Sequence, residues 1–510
     1  MHKKVIIYSI LILNLLTAGC VRTAPQSPEW QPGGATPDPT VMTTNGQTAT
    51  PSFHLLPTRD PNSPPVNPTP DNPHPQPTLR SDIEQYTVVY GDTLNEIARR
   101  YSISVELLLK ANDLIDPNNI SLGQILHIPA QTSSGIAPAN KIIPDSELVY
   151  GPMSITFDIN AMIQKRSGYL AHFQQEVDGS NLEAAQIITL ISQNYSVNSR
   201  LLLAILEYRS GWLSTPQPGA GGIDSPLGFQ DNWYIGLYRQ LAWAANTLNR
   251  GYYMWKVNSL TSVVLTDGNV FQLADNINAG TAAVQYLFSK LDNTNEWEKD
   301  ISTEGFYKLY SNLFGYPFDL AIEPLVPEDL VQPQMILPFE EGEVWAFTGG
   351  PHGGWDTGSV WAAMDFAPPG EAQGCVPSSA WVTSVADGTI LRAKNGAVIQ
   401  DLDFDGFEQT GWVVLYMHIE TLDRVAVGTF VRAGERIGHP SCEGGESTGT
   451  HVHLARRFNG EWISADGQFP FNLGGWISSG NGMEYDGLLT RDGQVVEAFN
   501  GNNPINQISR

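Results

Sequence analysis

"GTHVHLARRF", residues 449–458, sets His451 and His453 on either side of one valine in a chain with ten histidines. A strand sends alternate side chains to one face, so both imidazoles point together while Val452 and Leu454 point the other way. Two imidazoles on one face can share a metal or a proton. An H-x-H pair also arises on surfaces by accident, so its meaning depends on the surrounding segments. From about Leu337 the chain runs in short β-rich stretches broken by glycine, "AWVTSVADGTILRA", "GWVVLYMHIETL" and "VAVGTFVRAGERIGH", which predict an antiparallel β domain. Two more residues bear on the pair. Asp365 ends a small apolar run in "WAAMDFAPPG", where a carboxylate needs a partner, and His418 in "LYMHIETL" interrupts an otherwise hydrophobic strand. With His451 and His453 they make a constellation drawn from three segments, of the kind that builds a zinc site.

The ordered motifs "MDFAPPG", "ADGTI", "YMHIETL", "VAVGTFVRAGERIG" and "STGTHVHLA" closely resemble the lysostaphin-type zinc endopeptidases of peptidoglycan across residues 340–460. That resemblance implies zinc ligands at Asp365 and His453, with His418 and His451 beside the attacking water to handle its protons. It also implies a metallopeptidase domain over 337–480, followed by a C-terminal extension, 481–510. One position departs from the family: Trp361 stands where its first histidine belongs, four residues before Asp365. The nearest substitute is His352 in "TGGPHGGWDTGSVW", a glycine-rich stretch able to fold back onto the same metal, and His352 is the expected third ligand. Without it the site would have two ligands and the domain would bind without cutting. His439, beside Pro440, reads as structural.

The N-terminus, "MHKKVIIYSILILNLLTAGC", has two lysines before an apolar run too short to span a bilayer, the pattern of a secretory signal. Its end, "LTAGC", resembles the lipobox of bacterial lipoproteins, which implies a signal over 1–20, a lipid on Cys20 and attachment to a membrane. Two cysteines then remain, and in an oxidising compartment Cys375 and Cys442 can form one intramolecular disulfide. Much of the chain's proline, 35 residues in all, crowds the stretch after the signal, as in "PNSPPVNPTPDNPHPQPT". Residues 21–80 therefore read as a disordered tether. Lys+Arg 28 against Asp+Glu 53 gives a net charge of -25, which argues against a nucleic-acid partner.

Order begins at "YTVVYGDTLNEIARRYSISVELLLKANDLIDPNNISLGQILHIP", whose periodicities give strand, helix, helix, strand. The stretch strongly resembles a lysin motif (LysM) domain over 85–130. That family binds N-acetylglucosamine-containing glycans such as peptidoglycan, and the implied groove involves Gly91, Asp92, Thr93, Leu94, Ile115 and Asn118.

Residues 140–335 read as mainly helical. The stretch distantly resembles the lysozyme-like fold of lytic transglycosylases, with Glu207 in "LLLAILEYRSGW" at the place of the catalytic acid, although Tyr208 and Arg209 separate it from Ser210. A glutamate among Leu206, Tyr208 and Trp212 could be desolvated into a general acid; a surface or capping carboxylate is the reading favoured. In "DLDFDGFEQTGW", Asp401, Asp403, Asp405 and Gly406 reproduce half of a calcium loop, but Trp412 takes the twelfth position. A calcium-binding hairpin and an acidic turn without metal both stay open.

The whole is thus expected to be a multidomain α+β protein: a small βααβ glycan-binding unit, a helical domain, and an antiparallel β metallopeptidase using Zn2+ on the peptides of peptidoglycan. Two other functions remain: a non-catalytic wall-binding or regulatory lipoprotein, and a glycan-cleaving enzyme working through Glu207.

Overall fold

The computed structural model describes residues 80–510 apart from 90–91, 102, 104, 115–119, 131–132, 219–221 and 371–373, together with a few positions before residue 80. Two compact units divide the chain, Met1–Thr58 and Arg59–Arg510. In the first, Val41–Met42 pairs with Thr48–Ala49. Cys20, the signal segment and most of the tether lie outside the described residues. Within the second unit, His74 stacks on Trp255 with ring centroids 4.0 Å apart, and its N–H donates to the Asp275 carbonyl at 2.8 Å. At this point an aromatic contact and a hydrogen bond hold the chain.

The βααβ unit has the expected order: β1 (Glu84–Thr87), α1 (Leu94–Arg100), α2 (Val105–Ala111) and β2 (Ile125–Ile128). β1 and β2 pair antiparallel. The apolar residues at helical spacing, Leu94, Ile97, Ala98 and Leu108, meet Leu126 and Ile128 of β2 in a core of their own.

The middle region is helical, with small β elements added. A hairpin, β3 (Gln174–Val177) and β4 (Ser180–Glu183), leads directly into α3 (Ala184–Tyr195), where Glu183 and Gln186 form a capping box. Asn198 caps α4 (Ser199–Ser210) through its side-chain oxygen and the Arg200 N–H. The longer helices α5 (Leu237–Lys256), α6 (Ala279–Ser289) and α7 (Phe306–Phe314) pack with them, and shorter helices at Asp145–Leu148, Ile159–Arg166 and Thr294–Asp300 join the layer. α6 is buried on every side, as its run of small and apolar residues requires.

The third region is built on a nine-stranded antiparallel sheet. Its labelled strands are β5 (Val344–His352), β6 (Ala363–Ala367), β7 (Gly388–Lys394), β8 (Ala397–Asp401), β9 (Trp412–Met417), β10 (Phe430–Val431) and β11 (Val452–Phe458). After residue 480 the chain does not simply trail away. β12 (Trp476–Gly480), β13 (Gly487–Arg491) and β14 (Gln494–Glu497) pair in a second sheet, and β15 (Gln507–Ser509) closes the edge of the large one beside β5. The stretch read as an extension is thus part of the β domain.

Alternation divides the large sheet into two apolar faces. Trp345, Phe347, Met364, Phe366, Val414, Tyr416, Val452 and Leu454 pack within the β domain. Ala363, Ile399, Val413, Leu415, Met417 and Ala455 face the opposite way and share one core with the helices. Polar bonds close the seam at its margins. Arg457 donates to the Gln193 carbonyl at 3.1 Å and to Glu408 at 3.0 Å, Arg392 joins Glu408 to Asn194, and Lys256 pairs with Glu461. Burial opposes ionisation of Glu408, but the two guanidinium groups hold its carboxyl below the usual range.

Candidate metal centre

β11 lies between β6 and β9, and the register places Asp365 and Met417 opposite His453 on either side. Paired residues share a face, so Asp365 and His453 project from the face that the helices cover further along. Gly349 on β5 pairs with Asp365, and a Cβ there would lie 2.7 Å from the Asp365 Oδ2, so glycine makes room for the carboxylate. His352 ends β5 opposite Ala363 and is buried. His418 follows β9 with a left-handed backbone (φ 65°) that breaks the strand's alternation. Its ring centroid lies 4.5 Å from that of His451.

Three ligand-type atoms converge. Asp365 Oδ1 is 3.2 Å from His352 Nε2 and 3.2 Å from His453 Nδ1, and the two nitrogens are 3.0 Å apart. Donors about 2.0–2.2 Å from one tetrahedral zinc ion stand about 3.3 Å apart, so the spacing fits such an ion. Second, Asp365 Oδ1 is buried and has no hydrogen-bond partner among the described residues. Leaving a charged oxygen in that state costs on the order of 1–3 kcal/mol or more, a cost that a cation would remove.

Each imidazole has one nitrogen tied to a backbone carbonyl. His352 Nδ1 pairs with Gly350 O at 2.8 Å, His453 Nε2 with Gly354 O at 3.1 Å, His451 Nδ1 with Gly449 O at 2.7 Å, and His418 Nδ1 with Glu443 O at 3.1 Å. A carbonyl can only accept, so it draws the ring proton to that nitrogen and leaves a lone pair on the other. In His352 and His453 the other nitrogens, 3.0 Å from each other, are the two that meet Asp365 Oδ1. His451 Nε2 lies 3.7 Å from the same oxygen.

The electrostatics follow from burial and this crowding. Burial would raise Asp365, but the His352 and His451 imidazoles hold it well below the usual carboxylate range. Burial lowers His453, and it pushes His418 down to about 3, helped by the neighbouring His451 and His453. His352 moves the other way: burial lowers it, but Asp365 and the Gly350 carbonyl outweigh that and raise it. His418 is therefore neutral near pH 7.

Trp361 stands apart from this constellation; its carbonyl accepts the Ala465 N–H at 2.7 Å. No motif pointed to Tyr485, whose ring stacks on His352 at 4.3 Å. Its carbonyl accepts from Gly350 N at 2.7 Å, and its own N–H donates to Pro351 O at 3.1 Å, so the segment after β12 clamps the strand end that carries His352. Cys375 and Cys442 form a disulfide. His439 binds the Ala380 carbonyl, and its ring lies tilted against Trp381.

The other expected sites fare differently. Of the glycan-groove residues, Gly91, Ile115 and Asn118 lie outside the described residues. The Leu94 side chain is buried in the core, and Asp92 accepts from Tyr86 Oη at 2.7 Å and from Val89 N at 2.8 Å. Thr93 remains exposed where α1 begins. Glu207 accepts from the N–H groups of Leu213 and Ser214 and from the Ser214 hydroxyl, which holds it as a capping carboxylate and works against a general-acid role. Asp401, Asp403 and Asp405 do cluster. Asp401 accepts from the N–H groups of Asp403, Phe404 and Gly406, and Asp405 from Phe407 N and the Thr410 hydroxyl. These bonds account for an acidic turn, and nothing in them calls for calcium.

Comparison with known proteins agrees with the geometry. Residues 86–129 match the family described as LysM domain, and residues 369–465 match Peptidase family M23. The chain carries a LysM domain and an M23 peptidase domain. The M23 match contains His418, His451 and His453 and begins after Asp365. Residues 141–326 match the family described as LasA, N-terminal domain, which takes the place of the lysozyme-like resemblance read from the sequence. Protease LasA of Pseudomonas aeruginosa is 24% identical over 350 residues, covering 63% of this chain and 75% of that protein. Beta-lytic metalloendopeptidase of Lysobacter enzymogenes is 26% identical over 174 residues, 33% of this chain and 92% of that protein. Among solved structures, the M23 metalloprotease pseudoalterin is 24% identical, covers 35% of this chain and 100% of its own, and superposes with a TM-score of 0.29. No described helix is long and apolar enough to cross a membrane.

Proposed function

We propose that the M23 domain is a zinc-dependent endopeptidase that hydrolyses stem peptides or cross-bridges of peptidoglycan, and that the LysM domain holds it on that polymer. The observation that carries this reading is the convergence of His352 Nε2, Asp365 Oδ1 and His453 Nδ1, with the carboxylate oxygen otherwise unpartnered. These three residues would hold the metal. Bound zinc supplies Lewis acidity, polarising the scissile carbonyl and acidifying water. His418 and His451 sit together beside that position, each with its Nδ1 on a carbonyl and its Nε2 free. By their placement, His418 would take a proton from the attacking water and His451 would stabilise the negative charge that grows on the carbonyl oxygen. The sequence "LTAGC" supports lipid attachment at Cys20, which would keep the protein outside the cytoplasm at a membrane surface.

Mass spectrometry of fragments released from purified peptidoglycan, with zinc and with a chelator, tests the reading. Hydrolysed peptide bonds that disappear with the chelator and in His352→Ala are expected. Intact peptide with the protein still bound would instead favour a binding lipoprotein, and metal-independent cleavage of the glycan would move the chemistry elsewhere.

A further inference from the structure

The loop between β5 and β6 is where the helical layer reaches the metal centre. Its Gly354 carbonyl is the acceptor that fixes the proton on His453 Nε2 and so leaves Nδ1 free. Gly354 is closely confined. Its N–H donates to Val360 O at 3.2 Å, and a Cβ there would lie 2.8 Å from the Trp462 ring and 3.0 Å from Ala362.

The outer part of the loop is held by the helices. Gly358 N donates to Asn246 Oδ1 at 2.6 Å, and a Cβ on Gly358 would lie 2.0 Å from the Asn246 carbonyl oxygen, so the loop backbone runs directly against α5. Asn246 Nδ2 donates to Thr357 Oγ1 at 3.3 Å, and Arg250 donates to the same oxygen at 2.9 Å and to the Thr357 carbonyl at 3.2 Å. Tyr195, at the end of α3, donates to Asp356 Oδ2 at 3.2 Å. Within the loop, Trp355 N donates to Ser359 Oγ and that hydroxyl donates to Asp356 O, tying the outer part to the base.

We infer that Asn246, supported by Arg250 and Tyr195, is a positioning residue for the metal centre: the helical domain holds the 353–360 loop so that Gly354 orients His453. This inference rests on the zinc reading above. The Val452 and Leu454 side chains anchor the strand from its other face, but the rotation and tautomer of the His453 ring depend on the carbonyl. Releasing the loop from α5 lets that carbonyl drift, and the ring then presents its lone pair less often to the site.

The test is zinc affinity of the full-length chain, measured by competition with a chromophoric chelator, together with the visible absorption of the cobalt(II)-substituted protein. Asn246→Ala is expected to weaken zinc binding by about tenfold and to alter the cobalt bands. Asn246→Asp keeps the acceptor for Gly358 N and is expected to restore most of the affinity. Lys165→Ala, at an exposed position of the helix Ile159–Arg166 in the same domain, is expected to change neither. Should Asn246→Ala fail to fold, Arg250→Ala removes only the contacts to Thr357 and is expected to give a smaller loss of the same kind. Folded variants with wild-type affinity and cobalt spectrum would overturn the inference. So would a loss that follows the thermal midpoint of the metal-free protein and is not restored by Asn246→Asp. Wild-type protein that binds no zinc would remove the reading of the site itself, and this inference with it.

Discussion

Among the described residues, two clusters bring three ligand-type atoms within 4.8 Å of one another, His352 with Asp365 and His453, and Asp401 with Asp403 and Asp405. They differ in what their neighbours leave free. In the first, backbone carbonyls take the outer nitrogens, so lone pairs and an unpartnered carboxylate oxygen face inward. In the second, the oxygens of Asp401 and Asp405 accept N–H and O–H groups of their own turn. Proximity of ligand types therefore identifies neither a site nor its absence; the direction of the unsatisfied lone pairs does.

The largest effect expected from this contrast is at the first cluster. Asp365→Asn or His453→Ala should weaken zinc binding by more than about a hundredfold and reduce peptide release to background, read by chelator competition and by mass spectrometry. Next in size is stabilisation by the ion. Zinc at a thousandfold excess over its dissociation constant should add about 4 kcal/mol, seen as a rise in the thermal midpoint that a chelator reverses, whereas millimolar calcium should leave the midpoint unchanged. Calcium stabilisation abolished by Asp403→Asn would erase the contrast between the clusters.

A smaller effect concerns pH. Burial, with the Asp401 and Asp405 carboxylates alongside, pushes Asp403 up to about 8. The folded state then keeps a proton that the unfolded chain releases near pH 4, so stability should fall as pH rises between these values. Asp403→Asn should flatten that slope and raise the midpoint at pH 8. The smallest effect is at Glu207, where Glu207→Gln should cost about 1 kcal/mol of stability by weakening its hydrogen bonds, while peptide release from peptidoglycan stays unchanged.

Much of the first cluster was legible because strand alternation is local. His451 and His453 flank a buried valine, and their neighbours Val452 and Leu454 point into the core, as the period of two requires. His352 could be nominated because a glycine-rich stretch beside a strand permits a turn-back. Tyr485 could not, since its stack on His352 depends on pairing between strands far apart in the chain. The seam between helices and sheet left a trace that is plain only in hindsight. The uninterrupted run "WVVLYM" is apolar at every position, the pattern of a strand covered on both faces. Glu207 shows the opposite limit: its sequence neighbours are apolar, but its hydrogen-bond partners come from the turn after α4, which periodicity does not reveal.

The sheet face shared with the helices limits how this protein can be taken apart. The LysM unit has its own core and can be exchanged or deleted as a module. The peptidase domain instead shares a core with the helices. A recombinant fragment starting near residue 337 would leave Ile399, Val413, Leu415 and Trp462 bare to solvent, an adhesive slab on a sheet, and its expected fate is aggregation. For anyone engineering the protein, the expected smallest portable piece is the helical layer and the sheet together.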